Sequence, residues 1–145
     1  MKTPENFNRY TKEISGKPAS ICVNSSIADS CRMEDFPYMA CIRIFMKAPA
    51  ENGLEAGDEL DALDEIESSM LDYIENSNDI IYAGRCTCQG MRDYYIYSGD
   101  FEKHSPALEK ICRGFKGYDF EMAYRPDEKW DLFNKFLVPG HDFHQ

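Results

Sequence analysis

The stretch Ile80–Ser98 limits what this chain can fold into more than any other. Two β-prone arms, Ile80 to Cys88 and Met91 to Ser98, flank Gln89-Gly90. A two-residue connection with glycine in it predicts a tight hairpin, because glycine takes positive φ without steric cost. In that register Cys88 faces Met91, Cys86 faces Asp93, Gly84 faces Tyr95 and Tyr82 faces Tyr97. Strand side chains alternate, so Ile81, Ala83, Arg85 and Thr87 share one face with Arg92, Tyr94 and Ile96. Ile81, Ala83, Tyr94 and Ile96 mark that face as core. The face with Tyr82, Asp93, Tyr95 and Tyr97 reads as half wet.

The rest of the chain gives this hairpin a sheet to join. Phe7 to Ile14 alternates apolar and polar residues, Ser15-Gly16-Lys17-Pro18 turns, and Ala19 to Asn24 returns, so a first hairpin is predicted. Ser25 to Phe36 reads as a loop with one helical turn. Tyr38 to Lys47 is apolar on both faces, as a central strand is. Leu60, Leu63, Ile66, Met70, Tyr73 and Ile74 recur at helical spacing from Gly57 to Asn76. Ser105-Pro106 predicts an N-cap for a second helix that stops at Gly114. Tyr118 to Tyr124 alternates again, and Asp127 caps a last short helix carrying Trp130, Phe133 and Leu137. The order β-β, β-α-β-β-α-β, helix predicts an α+β fold. Its centre is a ferredoxin-like split βαβ antiparallel sheet, with an added N-terminal β-hairpin and a short C-terminal helix. At 145 residues it is one domain, with residues 1–5 and 141–145 as loose tails.

Composition narrows the function classes. A formal net charge of -10 repels phosphate backbones, which argues against nucleic acid and for a protein partner with a basic surface. No apolar run follows Met1-Lys2-Thr3-Pro4, and none approaches the roughly 18 residues of a membrane span. A cytoplasmic chain is expected, monomeric or a weak dimer, its six cysteines reduced thiols.

Several segments in order resemble one family. They are Lys17-Pro18-Ala19-Ser20-Ile21, the strand after Pro37, Gly53-Leu54 before an acidic helix, and Leu63-x-x-Ile66-Glu67. Gly84-Arg85-x-Thr87, Gly90-x-Arg92-Asp93-Tyr94-Tyr95-x-Tyr97, Trp130-x-x-Phe133 and Leu137-x-Pro139 follow. Together they resemble the bacterial family catalogued as domain of unknown function 695, over nearly the whole chain. Cys86 and Cys88 depart from its pattern, where an aliphatic and a small polar residue are expected. The family has no established activity, so the resemblance supplies no catalytic residues. It is sometimes fused to domains similar to the protein regulator of ribonuclease E activity, which implies a regulatory or binding role by association.

No nucleophile elbow, Walker-type loop, dinucleotide fingerprint or His-Glu-x-x-His motif is present, so no catalytic residue, metal ligand or cofactor is assigned. Cys86-x-Cys88 puts two thiols on one strand face, but the other cysteines lack knuckle spacing, and buried small hydrophobes is the simpler reading. His141-x-x-His144 has helical spacing in an expected loose tail. His104 has no acid beside it and reads as a surface residue. The acids from Asp58 to Glu67 suit the N-terminal half of a helix, where the macrodipole favours them.

The residues that exceed simple fold needs are on the hairpin. Arg85 and Arg92 can hold a carboxylate or phosphate, or else pair with the helix acids. Tyr82, Tyr95 and Tyr97 with Asp93 suit an interface, unless the first hairpin or Trp130 covers them. These six are the candidate ligand- or partner-binding residues. The expectation is a non-enzymatic binding or regulatory module acting on a protein partner. The alternative is a small-ligand-binding protein or small enzyme with a polar pocket around Arg85, Arg92, Asp93 and Tyr95.

Overall fold

Two tight turns frame the sheet. Ser15-Gly16 and Gln89-Gly90 both adopt left-handed backbone, with φ of 53° and 77° in the first and 54° and 81° in the second. That geometry matches the twist of the strands on either side. The computed structural model of the chain describes residues 7–27 and 32–139. Ser15-Gly16 joins β1 (Phe7–Ile14) to β2 (Lys17–Asn24), and Gln89-Gly90 joins β4 (Ile80–Cys88) to β5 (Met91–Ser98). β3 (Tyr38–Phe45), helix α1 (Gly57–Glu75), helix α2 (Ser105–Arg113), β6 (Phe120–Pro126), a π-helical segment (Leu132–Leu137) and two short 3-10 helices (Met33–Asp35 and Phe101–Lys103) complete the described elements. The chain is therefore α+β, with one open six-stranded antiparallel sheet in the order β1-β2-β4-β5-β3-β6. The first hairpin extends the sheet through β2 against β4, and Ile42 and Met122 lie side by side in it.

Both faces of the sheet are covered, which makes a three-layer molecule. On one face Leu63, Ile66, Met70 and Ile74 of α1 and Leu108 and Cys112 of α2 pack on Ala40, Ile42, Ile44, Tyr82, Tyr94 and Ile96. On the other, Trp130, Phe133 and Leu137 close over Ala19, Ile21, Val23, Ala83, Tyr95 and Tyr97. The face read from the sequence as half wet is thus buried at Tyr95 and Tyr97 and meets solvent through Arg43 beside Asp93. Trp130 stacks on Tyr97 with ring centroids 4.3 Å apart, and its indole N–H donates to the Phe36 carbonyl at 2.9 Å. The segment is pinned at its far end by β1, where Tyr10 OH donates to the Leu137 carbonyl at 2.5 Å and Lys12 Nζ to the Phe136 carbonyl at 2.9 Å.

The hairpin register holds at its turn and fails beyond it. Cys88 faces Met91, Cys86 faces Asp93 and Gly84 faces Tyr95 as the alternation predicts. A bulge between Tyr82 and Gly84 then shifts the pairing, so Ile81, not Tyr82, lies opposite Tyr97. Gly84 has φ +155°, and a Cβ there would run into the Cys22 carbonyl of the neighbouring strand. The bulge is the route by which β4 passes so close to β2. Its consequence is a change of face: Tyr82 turns under α1 and Ala83 turns to the Trp130 side.

Candidate functional site

The six hairpin residues divide between the two faces. Arg85, Arg92 and Tyr82 lie beneath α1; Asp93, Tyr95 and Tyr97 lie on the opposite face. No single pocket gathers Arg85, Arg92, Asp93 and Tyr95, because Arg92 and Asp93 are strand neighbours and point apart.

Beneath α1 the centre is Glu67. Its inward position follows from the helix period: Glu59, Leu63, Ile66, Glu67 and Met70 are all buried on one stripe. Arg85 Nη1 bonds Glu67 Oε1, Tyr82 OH donates to Oε2 at 3.3 Å, and Arg92 Nη1 stands 3.7 Å from Oε1. Arg92 is 1% exposed; its Nε donates to Thr87 Oγ1 at 3.1 Å, and its Nη2 lies 3.5 Å from Glu55 Oε1. Two cations and two anions thus close on themselves. Burial alone would lower the Arg85 pKa, but the Glu67 carboxylate, with smaller contributions from Tyr82, Cys22 and Tyr94, outweighs it and holds the guanidinium charged. Burial and the same carboxylate push the Tyr82 phenol well up, so it stays a donor. Arg92 Nη1 has no hydrogen-bond partner, although Glu67 faces it as a counter-charge.

Across the sheet, Arg43 Nε and Nη2 donate to the two oxygens of Asp93 at 2.8 and 3.0 Å, a bidentate pair, and Tyr95 OH donates to Oδ2 at 3.3 Å. Burial and the Asp93 charge push the Tyr95 phenol far up. The Arg43 side chain is 38% exposed, so this corner reaches solvent. Tyr97 belongs to a drier group: its OH donates to Asp127 Oδ2 at 2.8 Å and accepts the Phe133 N–H at 3.2 Å. The Asp127 oxygens also accept the Asp131 and Leu132 amides, as a cap for the π-helical segment.

Two groups escaped sequence reading. His104 is 3% exposed, not a surface residue: its Nε2 meets Asp79 Oδ1 at 2.6 Å and its Nδ1 meets Tyr73 OH at 2.7 Å. His104, rather than Ser105, is the N-cap of α2, and its ring bonds these two side chains rather than the helix amides. Burial would raise the Asp79 pKa, but hydrogen bonds from His104 and Lys103 outweigh it and hold the carboxyl low. Glu59 is the second: it accepts the Lys47 and Ala48 amides at 2.7 and 3.1 Å and Tyr118 OH at 2.7 Å. Burial would raise its pKa, and these bonds together hold it below the usual carboxylate range, while burial and Glu59 push Tyr118 up to about 12.

That depressed pKa gives a pH dependence. Glu59 contributes stability in full above the ordinary glutamate range, lost as pH falls through its folded pKa. Glu59→Gln is expected to cost about 1.5–3 kcal/mol near neutrality, since bonds to a charged acceptor are lost. Urea unfolding at a series of pH values should show the variant losing less on acidification than the parent. Parallel acid limbs would reject the assignment.

The five described cysteines are buried or half-buried thiols. Cys22, Cys41, Cys86, Cys88 and Cys112 are free, and Cys31 lies outside the described residues, as do His141 and His144. Burial pushes Cys41 and Cys86 up to about 12 and Cys112 up to about 11. Among the described residues no group of three or more His, Cys, Asp or Glu side chains is placed to hold a metal. In native protein the five described thiols should therefore react slowly with a thiol reagent near neutral pH, and all six thiols of the sequence should titrate in denaturant. Fewer than six, or rapid native labelling at Cys41 or Cys86, would contradict this.

Among the described residues, no helix is long and apolar enough to cross a membrane. A family model described as "Family of unknown function (DUF695)" matches residues 5–138. Neither curated proteins nor solved structures give a match.

Proposed function

Because the chain belongs to the family of unknown function DUF695, whose description assigns no activity, we propose a function from its own surface. The chain is a non-enzymatic binding and regulatory module of the bacterial cytoplasm, acting on a protein partner with a basic surface. The observation that carries this reading is the outer face of α1. The helix has eight acidic residues and no basic one. Glu59 and Glu67 turn inward; Asp58, Asp61, Glu65, Asp72 and Glu75 are exposed at spacings of three, four, seven and three, one face of the helix. The stripe runs about 25 Å at 1.5 Å per residue. Asp72 and Glu75 lie near the C-terminal end, where the helix dipole disfavours negative charge, so helix stability does not account for them.

The buried ion cluster supports the same reading, since Arg85, Arg92, Tyr82 and Glu67 hold α1 against the sheet and fix the direction of the stripe. Asp93 and Tyr95 are buried, and it is their β3 partner Arg43 that reaches solvent, so the hairpin itself offers little surface for binding. A polar pocket for a small ligand has weaker support, because the Asp93 oxygens already accept from Arg43 and Tyr95. We also read β3-α1-β4-β5-α2-β6 as a ferredoxin-like split βαβ unit, supported by the order β4-β5-β3-β6 and by both helices packing on one face.

Affinity capture from cell lysate tests the function. Captured protein should be basic at its contact surface, and capture should fall steeply with salt. The combined variant Glu65→Lys, Asp72→Lys, Glu75→Lys should abolish it while the thermal midpoint holds, since these positions lie away from the first turn. Capture that survives charge reversal would reject the stripe as the binding surface.

A further inference from the structure

The sheet stops at β6: among the described residues β3 is its one strand partner. Two main-chain bonds fix which groups the outer edge presents. The Phe45 amide donates to the Asp119 carbonyl at 3.0 Å, and the Asp127 amide donates to the Pro37 carbonyl at 2.8 Å. Odd-numbered residues from 119 to 127 therefore turn their main-chain groups toward β3. Phe120, Met122 and Tyr124 turn theirs outward. An uncovered edge of this kind is a template for another strand.

The side chains add a second observation. Phe120, Met122 and Tyr124 line a groove of about 1130 Å³ between β6 and α2, with Glu109 and Arg113 on its helix wall. Tyr124 is 43% exposed. The opposite edge strand differs: β1 presents Tyr10 and Lys12, both bonded to carbonyls of the π-helical segment.

The third observation is that Glu121-Met122-Ala123-Tyr124-Arg125 is complementary to itself, while the flanking Phe120 and Pro126 can share one main-chain bond in place of two, since proline has no N–H. Turned antiparallel about Ala123, Glu121 of each copy falls opposite Arg125 of the other. Met122 falls opposite Tyr124, and both have outward main-chain groups, so the register also satisfies the hydrogen-bond parity. Asp119 and Asp127 come opposite each other at the ends, but the Asp127 carboxylate is turned inward to Tyr97.

We propose that two copies of this chain pair antiparallel through β6 about a twofold axis at Ala123. The two sheets then run on as one, and the apolar stripes of both copies close the groove. This surface is separate from the acidic stripe of α1, so it stands whether or not that stripe binds a basic partner.

Sedimentation equilibrium of the full chain tests the pairing. Each chain carries a formal charge of -10. The measurement is therefore made at about 0.15 M salt, where a Debye length of about 8 Å screens the general repulsion but not ion pairs in contact. The parent should show concentration-dependent dimerisation. Glu121→Arg and Arg125→Glu should each weaken it about tenfold, since each turns two attractive cross-strand pairs into like-charge pairs. The double variant Glu121→Arg, Arg125→Glu should restore it, because the swap recreates both pairs. Unchanged circular dichroism would show that these exposed substitutions leave the fold intact. A parent monomeric at all concentrations, an association indifferent to the single reversals, or a double variant no better than either would overturn the proposal. So would a chain that stays monomeric and takes up an unrelated extended peptide on β6.

Discussion

Glu67→Gln is expected to lower the stability of this protein by about 3–5 kcal/mol, the range for removing one partner of a buried ion cluster. The substitution keeps the shape of the side chain. It leaves the Arg85 and Arg92 guanidinium groups under α1 without the carboxylate that both of them face. Restoring their hydration would need α1 to lift from the sheet. Urea denaturation followed by circular dichroism measures the loss, and a change below about 1 kcal/mol would mean that the cluster tolerates an unpaired charge. A companion variant separates charge from shape. Glu67→Met, Arg85→Met and Arg92→Met together remove the whole set, and should cost less than Glu67→Gln alone, because apolar replacement of complete buried ion sets is often near neutral.

Trp130→Ala is the second large effect, expected at about 3–5 kcal/mol. Trp130 is 1% exposed, stacks on Tyr97 and meets Phe133 edge-on at 5.7 Å. Removing it opens a cavity over the β5 face and strands the Phe36 carbonyl. Trp130→Phe should fall between parent and alanine, since it keeps an aromatic face against Tyr97 but loses the indole N–H. As Trp130 is the one tryptophan of the sequence, its fluorescence in the parent reports on this face alone. A fluorescence transition coinciding with the circular dichroism transition would show that the face closes cooperatively with the sheet; Trp130→Ala within about 1 kcal/mol of the parent would show that the cover contributes little.

Particular residues show where sequence reading reaches and where it stops. Gln89-Gly90 sets the pairing of Cys86 with Asp93, since a two-residue turn leaves one register. The bulge at Gly84 was invisible because Ile81, Tyr82 and Ala83 are all apolar and suit either face. Alternation alone puts Tyr82 with Tyr97, whereas the bulge turns it to Tyr94. Pairing of Arg85 and Arg92 with helix acids was legible as a class, and the burial stripe Glu59, Leu63, Ile66, Glu67 could have singled out Glu67. His104 gave no local sign, for its partners Tyr73 and Asp79 lie 31 and 25 positions away. The cover over Tyr95 and Tyr97 was legible as an alternative, since Trp130 and Phe133 needed an apolar surface and that face had one.

The bond between Tyr10 and Leu137 joins positions 127 residues apart. A ribosome delivers the first strand long before it delivers the segment that covers it. Until residue 137 emerges, the growing chain can seat α1 and α2 on one side of its sheet, while Ile21, Val23, Tyr95 and Tyr97 wait uncovered on the other. Long-range closure of this kind slows folding and leaves an adhesive surface exposed meanwhile. For this molecule the hazardous interval is therefore the one in which most of the sheet has formed and its last cover is still inside the exit tunnel.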